Sequence, residues 1–473
     1  MEHIQTVETQ TLPIERFESV LEAGDYESFQ EAARAARETF ADRCIWNVNS
    51  TARGGGVAEM LRSLLAYARG AGVDARWLVI GGDQAFFTVT KRIHNRLHGA
   101  TGDGGDLGAA ESDMYVSTLA TAAAEIAGTA RPGDIIVLHD PQTAGLIPSL
   151  KAAGYPVVWR CHVGLDMPND IARDAWRFLI PFVEQADALV FSREAFGWEG
   201  LDKARIRVIA PSIDAFSPKN EDPPDDVEDA ILATSGLAPG QARTAPTFTR
   251  FDGSTGTVKR TVEWRDGGEP PSHDAPLVVQ VSRWDRLKDP VGVIRGFGSS
   301  IAPHTDAHLV VAGPAVAAVS DDPEGAEVLE ESHAAWADLA PDVRTRIHLA
   351  CIPMDDGDEN AAIVNVLQRR ASVIVQKSLA EGFGLTVAEG MWKGRPVVAS
   401  RIGGIQDQIT NGETGILIDD PTDLESYGEA VVGLLLDPER AARMGVLARE
   451  RVRHDFLGAR HLIQYAELLG TLI

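Results

Sequence analysis

Residues 372–393 read SVIVQKSLAEGFGLTVAEGMWK. The β-branched run Val373-Ile374-Val375 predicts a strand over 372–378, and the apolar spacing from about Leu385 onward predicts a helix. A glycine-bearing loop, Glu381-Gly382-Phe383-Gly384, joins them. Strand, loop and helix in that order form one βα unit of a parallel sheet. The glycines let a ligand come close to the backbone. The unpaired N–H groups and positive dipole of a helix start attract phosphate. Glu381 falls in the loop and Glu389 about one turn into the helix, where a carboxylate can accept hydrogen bonds from two vicinal ribose hydroxyls. The alternative makes Glu381 a first-turn dipole residue and Glu389 a solvated helix residue.

The same alternation extends outward in both directions. Toward the C-terminus, PLVVQVSR (276–283), AHLVVAGP (307–314), RIHLACI (346–352), RPVVASR (395–401) and TGILIDD (414–420) are further strand candidates, and a helical tail runs from about 423. Toward the N-terminus, a helical pattern over 14–40 precedes CIWNVNS (44–50), a glycine run, a helix over 57–72 and ARWLVIGG (75–82). DIIVLHDPQ (134–142), YPVVWRCHV (155–163), DALVFSRE (187–194) and RVIAPSID (207–214) continue the series. Between the two series the character changes. EDPPDD (221–226) is acidic and proline-rich, and residues 247–268 alternate polar and apolar around Asp252-Gly253-Ser254-Thr255-Gly256, which predicts a β-hairpin. The expected fold is therefore α/β with two Rossmann-like domains facing across a cleft. Residues 1–220 form one domain, 276–473 the other, and 221–275 an insertion or linker; a return of the C-terminal helix to the N-terminal domain is left open.

Open parallel sheets bind ligands at the C-terminal ends of their strands. Arg283 ends the stretch 276–283, directly after its apolar run, and Lys288 lies in the loop beyond it. A guanidinium fork and an ammonium point charge together suit a diphosphate, although an ordinary surface pair has the same spacing. Gly54, Gly55 and Gly56 link the first strand to its helix and present backbone N–H groups, or serve only as a turn. This run is not GxGxxG, and no acidic ribose anchor follows at the usual distance, so dinucleotide binding is weakly supported. His162 ends another strand. Asp356 and Asp358 have the spacing of a metal-binding pair, but capping of a helix starting near Asn360 is the favoured reading. Gly403-Gly404 is a turn or a point of close substrate approach. The chain lacks HExxH, the Walker A lysine motif and GxSxG, which argues against a zincin, a P-loop enzyme and a common hydrolase.

Composition limits the partners. The formal net charge of −25 disfavours nucleic acid and anionic membrane surfaces, so an anionic substrate needs a local cationic patch. Cys44, Cys161 and Cys351 are odd in number and widely spaced, which fits a reducing compartment. The N-terminal MEHIQTVETQ has neither the basic start nor the apolar run of a signal peptide, and no apolar stretch approaches the roughly 18 residues of a spanning helix. A cytoplasmic protein is expected.

Taken together, SRWDRLKDP and EGFGLTVAE resemble the Arg…Lys diphosphate motif and the paired-glutamate motif of glycosyltransferase family 4, whose fold is GT-B. NSTARGGGVAEML, FFTVTKRIHNRLHG, LHDPQ and WRCHVGLDMPN narrow the likeness to the trehalose glycosyltransferring synthases and, more distantly, the fungal-type trehalose phosphorylases. The likeness covers about residues 41–220 and 276–470, and departs over 221–275. It implies an acceptor-side N-terminal domain and a nucleotide-sugar-binding C-terminal domain.

What the resemblance implies residue by residue is a retaining transfer of glucose from an NDP-glucose to glucose, giving α,α-trehalose. Arg283 and Lys288 would neutralise the leaving diphosphate. The backbone of Gly382, Phe383, Gly384, Leu385 and Thr386 would hold phosphate or donor sugar. Glu389 would bind ribose and Glu381 the donor glucose hydroxyls. His162 would stand beside the donor sugar, and Gly54–Gly56 would border the diphosphate and acceptor. Front-face attack, with the departing phosphate taking the acceptor's proton, needs no protein nucleophile. No cofactor or metal is expected. The expected partners are NDP-glucose and glucose or trehalose, with a homodimer left open. A trehalose phosphorylase, a transferase with another acceptor and a silent sugar-nucleotide sensor are the competing readings; the nucleobase is not legible.

Overall fold

The computed structural model describes residues 3–52, 55–315 and 323–473. The chain divides into two compact units: the portion up to Ser212 together with Phe456–Ile473, and Ile213–Asp455. This corrects the expected boundary at 220/221, and it assigns the last helix, Gly458–Gly470, to the first unit. The reason is packing. Leu468 and Leu469 join Ile45, Val137, Val158 and Val190 in one buried cluster, so this helix covers a face of the first sheet.

In the first unit the described residues form strands β1 (Ile4–Val7), β2 (Cys44–Asn49), β3 (Asp74–Ile80), β4 (Ile135–His139), β5 (Val157–Cys161), β6 (Ala188–Phe191) and β7 (Ile206–Val208). They lie in the order β1-β3-β2-β4-β5-β6-β7. All neighbours are parallel except β1 and β3. Strands β2, β4, β5 and β6 are buried along their whole length. Helices cover both faces of such a sheet, so these strands read as continuous apolar runs and do not alternate. The chain moves from β2 to β3 on one side and to β4 on the other. The strand order therefore reverses between β2 and β4, where ligands gather in open α/β sheets.

In the second unit β8 (Thr247–Thr249) and β9 (Thr255–Thr257) form an antiparallel hairpin, and β10 (Glu263–Trp264) joins the edge of the large sheet. Then follow β11 (Leu277–Val281), β12 (His308–Pro314), β13 (Ile347–Ile352), β14 (Val373–Gln376), β15 (Val397–Ser400) and β16 (Ile416–Ile418). The order is β10-β13-β12-β11-β14-β15-β16, with β10 alone antiparallel to its neighbour. The switch point lies between β11 and β14. Residues 221–275, expected as an insertion between domains, are instead folded into this unit. A helix at Asp225–Thr234, unforeseen in the sequence, carries buried Ala230, Ile231 and Leu232. Arg250 in the hairpin pairs with Asp356 at 2.7 Å. All three cysteines are buried and unpaired. Among the described residues no helix is long and apolar enough to cross a membrane.

Candidate active site

The loops after β11 and β14 meet at the second unit's switch point. The Leu379 N–H donates to the Leu287 carbonyl at 2.7 Å, and the Gln280 amide donates to the Lys288 carbonyl at 2.7 Å. Asp289 adopts a left-handed φ of 50°, caps the helix Pro290–Gly296 through the Gly292 N–H, and pairs with fully buried Lys377. Lys377 also donates to the Pro421 carbonyl at 2.5 Å. This scaffold brings Lys288 Nζ to 2.5 Å from Glu381 Oε2. Their side chains are 16% and 12% exposed. Ser378 Oγ lies 3.5 Å from the same carboxylate oxygen, a contact with no signal in the sequence reading. Arg283 differs. Its side chain is 62% exposed and pairs with Asp285 at 3.0 Å, leaving the guanidinium at the surface of the same strand end.

The glycine loop is held from behind. The Gly404 N–H donates to the Gly382 carbonyl at 2.9 Å, and the Gln408 amide donates to the Phe383 carbonyl at 2.6 Å. Gly403 has a φ of 46°, and a Cβ there would lie 1.8 Å from the Glu381 carbonyl oxygen. At Gly403, read as part of a turn or a point of close substrate approach, the close contact is thus backbone against backbone. Gly384, with a φ of 83°, is the N-cap of the helix Leu385–Trp392, and no side chain caps that start. Leu385 and Thr386, in the first turn, are half-buried.

Glu389 is not a solvated helix residue. It is 3% exposed. Its Oε1 stands 3.4 Å from Lys219 Nζ, and its Oε2 is buried without a hydrogen-bond partner. Lys393, one turn further, donates to the Glu389 backbone carbonyl at 3.2 Å and to Asn220 Oδ1 at 3.1 Å. Burial pushes the Lys393 ammonium pKa down to about 7, because a charge without solvent is costly.

His162, Gly55 and Gly56 belong to the first unit; Gly54 lies outside the described residues. Gly55, with a φ of 82°, is the N-cap of the helix Gly56–Gly70 that follows β2. At the ends of β4 and β5, the His162 N–H donates to Asp140 Oδ1 at 2.7 Å, and the His162 ring stacks on His139 at 5.9 Å. Arg160 is fully buried and donates through Nε to a ring nitrogen of His162 at 2.8 Å and through its fork to the Tyr465 hydroxyl at 2.8 Å. Burial, then the Arg160 charge, hold the His162 pKa well below its usual value, so the ring stays neutral. Burial pushes the Asp140 carboxyl up to about 6. Asp140 and Arg160, to which sequence reasoning assigned no role, flank His162 in space; their signal was the polar residue near each strand end, in LHDPQ and WRCHV.

Asp356 caps the helix Gly357–Arg370, accepting from the Asp358 and Glu359 N–H groups, and the Arg250 guanidinium holds its pKa down to about 2. Asp358 accepts from the Phe251 N–H at 3.2 Å. Both carboxylates are thus engaged in capping and in fastening the hairpin.

Residues 47–197 match the family model for the trehalose synthase N-terminal domain, and residues 265–451 that for glycosyl transferases group 1. The trehalose synthase of Pyrococcus horikoshii is 33% identical over 459 residues, covering 97% of this chain and 96% of that protein. The trehalose phosphorylase of Grifola frondosa is 25% identical over 438 residues, covering 86% of this chain and 54% of that longer protein. Among solved structures, an alpha,alpha-trehalose-phosphate synthase (UDP-forming) from Burkholderia vietnamiensis aligns with a TM-score of 0.64 at 15% identity, over 90% of this chain and 96% of that one. The fold is GT-B.

Proposed function

This chain belongs to the trehalose synthase family of GT-B glycosyltransferases, and within that family we propose that it is a retaining hexosyltransferase that moves glucose from a nucleoside-diphosphate glucose onto glucose, forming α,α-trehalose. The observation that carries the donor assignment is Glu389, a buried carboxylate with one oxygen lacking a partner. An unmet buried acceptor costs about 1–3 kcal/mol, more for a charged group, and a ribose hydroxyl would relieve that cost. Inorganic phosphate, the co-substrate of a phosphorylase, has no sugar hydroxyl to offer.

Lys288 and Arg283 would neutralise the diphosphate, with the first-turn N–H groups of Leu385 and Thr386 adding to the anion site. Lys288 is paired with Glu381. An arriving diphosphate would compete for the ammonium and release Glu381 to accept from donor glucose hydroxyls. The acceptor hydroxyl would then attack C1 from the face the diphosphate leaves. The C1–O bond to phosphate breaks as the new glycosidic bond forms, and the acceptor's proton passes to the departing phosphate oxygen. His162, neutral and fixed by Arg160 and Asp140, would stand beside the donor sugar; Gly54–Gly56 would border the diphosphate and acceptor. The cationic pair would supply the charge compensation, with no metal required, and the expected compartment is the cytoplasm.

The test is product identification. The full chain is incubated with glucose and each of ADP-, UDP- and GDP-glucose, and separately with trehalose and inorganic phosphate. Trehalose formed from a nucleotide sugar supports the assignment. Glucose 1-phosphate released from trehalose, with every nucleotide sugar inert, overturns it in favour of a phosphorylase.

A further inference from the structure

A carboxylate as buried as Glu389 is unfavourable unless a counter-charge reaches it. The charges of Glu389, Arg369, Lys219 and Asp222 all act on the neighbouring Lys393. Lys393, one turn beyond Glu389, donates to the Glu389 backbone carbonyl and to Asn220 Oδ1, so it acts on the carboxylate through its charge and not through a hydrogen bond. From the helix Gly357–Arg370, Arg369 donates to Asp222, to the Glu221 carbonyl and to Asn365 Oδ1. From the segment that opens the second unit, Asp222 is held by Arg369 and Arg449. The same segment supplies Lys219, whose Nζ stands at ion-pair distance from Glu389 Oε1.

The backbone on both sides of Lys219 is pinned. The Asn365 amide donates to the Pro218 carbonyl at 3.1 Å and to the Glu221 carbonyl at 2.9 Å. The Trp392 indole donates to the Asn220 carbonyl at 3.0 Å, and Asn220 is 2% exposed. Residues 218–221 are therefore fastened to the helix that carries Glu389 and to its neighbour. A long flexible side chain gains most as an ion-pair partner when its backbone is already fixed.

Resting on the reading of Glu389 as the ribose anchor, we propose that Lys219 is a positioning residue for nucleotide recognition: its ammonium holds Glu389 Oε1 and leaves Oε2 available to the ribose hydroxyls. The donor site then includes the segment at the start of the second unit, which lies outside the stretch where the diphosphate and paired-glutamate motifs occur. Without Lys219 the carboxylate loses its ion-pair partner in a dry setting, and a carboxylate free to rotate is a poor acceptor for two vicinal hydroxyls.

The test compares Lys219→Met, which keeps the apolar stem, with Lys219→Arg, which restores the charge, and with Glu389→Gln. Calorimetry on the full chain measures affinity for whichever of ADP, UDP and GDP the parent binds best, and for its 2′,3′-dideoxy form. Lys219→Met is expected to weaken the ribonucleotide about 10-fold, to leave the dideoxy form nearly unchanged and so to collapse the ribose preference, with Lys219→Arg recovering most of it. Parent-like preference in Lys219→Met, with the preference lost in Glu389→Gln, overturns the role of Lys219 and leaves the ribose anchor standing. Unchanged preference in Glu389→Gln overturns the ribose anchor itself. Equal weakening of both nucleotides in Lys219→Met marks general damage and also overturns the proposal. Should Lys219→Met fail to fold, Lys219→Gln decides by the same ratio.

Discussion

Lys288 Nζ and Glu381 Oε2 stand 2.5 Å apart, one beyond β11 and the other beyond β14, and this pair spans the point where the second sheet reverses its strand order. The proposed function assigns the cation of this pair to the diphosphate and the carboxylate to the donor sugar. On that reading, binding of a nucleotide sugar would exchange one partner for another on both residues at once.

Lys288→Ala is therefore expected to lower turnover on the order of 10²–10³-fold, the usual loss when a preorganised charge facing a leaving group is removed. The melting temperature is expected to fall as well, since the pair is mostly buried and Glu381 is left without its ion-pair partner. Steady-state kinetics with thermal unfolding check both statements; full turnover in the folded variant refutes the assignment to the diphosphate.

Glu389→Gln keeps the shape of the side chain and removes its charge. Nucleoside diphosphate binding is expected to weaken by roughly 1.5–3 kcal/mol, the value of hydrogen bonds to a charged acceptor. Glucose binding should be unaffected. Titration calorimetry with each ligand distinguishes the two.

Gly403→Ala tests the backbone packing behind the donor loop. Its Cβ would meet the Glu381 carbonyl at 1.8 Å, at a φ of 46° that disfavours any side chain. The loop must shift, carrying Glu381 with it. A stability loss of about 1–3 kcal/mol is expected, together with a larger fall in nucleotide-sugar turnover than in stability-matched variants elsewhere. Chemical denaturation and kinetics measure the two effects.

Lys393 gives a pH signature. Its pKa falls from 10.5 in the unfolded chain to about 7 in the folded protein, chiefly through burial. Between those values the unfolded chain holds a proton that the folded protein has released, so stability rises with pH across this window, by at most about 1.4 kcal/mol per unit. Below about 7 both states are protonated and the folded protein bears the full cost of the buried ammonium. Urea denaturation from pH 7.5 to 10 should show a shallower rise in Lys393→Met than in the parent. Parallel curves would refute the shifted titration.

Activity is expected to survive exhaustive chelation by EDTA, because the Asp356 and Asp358 carboxylates are already taken up by helix and hairpin contacts and, on the proposed function, Lys288 and Arg283 would carry the needed charge. Loss of activity restored by magnesium or manganese would reopen those carboxylates as ligands.

The glycine loop 381–384 and the position of Lys288 were legible as strand-end loops because glycine, glutamate and lysine at the ends of apolar runs mark a turn out of the sheet. Lys219, Ser378 and Arg160 were not. Lys219 sits at the end of the expected first domain, just before the linker that opens with EDPPDD, and Arg160 reads as an ordinary polar residue in WRCHV. Their significance lies in partners far along the chain: Glu389 for Lys219, and Tyr465 together with nearby His162 for Arg160. The fate of residues 221–275 was likewise hidden. Arg250 with Asp356, and β10 with β13, join this segment to residues about a hundred positions away.

The sequence alone determined that two α/β units exist, which glycine loops start helices at strand ends, and which cations and carboxylates lie in those loops. Each of these follows from periodicity and turn chemistry acting over a few neighbouring residues. The tertiary structure alone decided the strand order, and with it that Lys288 meets Glu381. It also decided that Glu389 is buried against Lys219 and that the last helix covers the first unit's sheet. Burial and charge pairing are set by distances between segments remote in sequence, and local pattern carries no record of those distances.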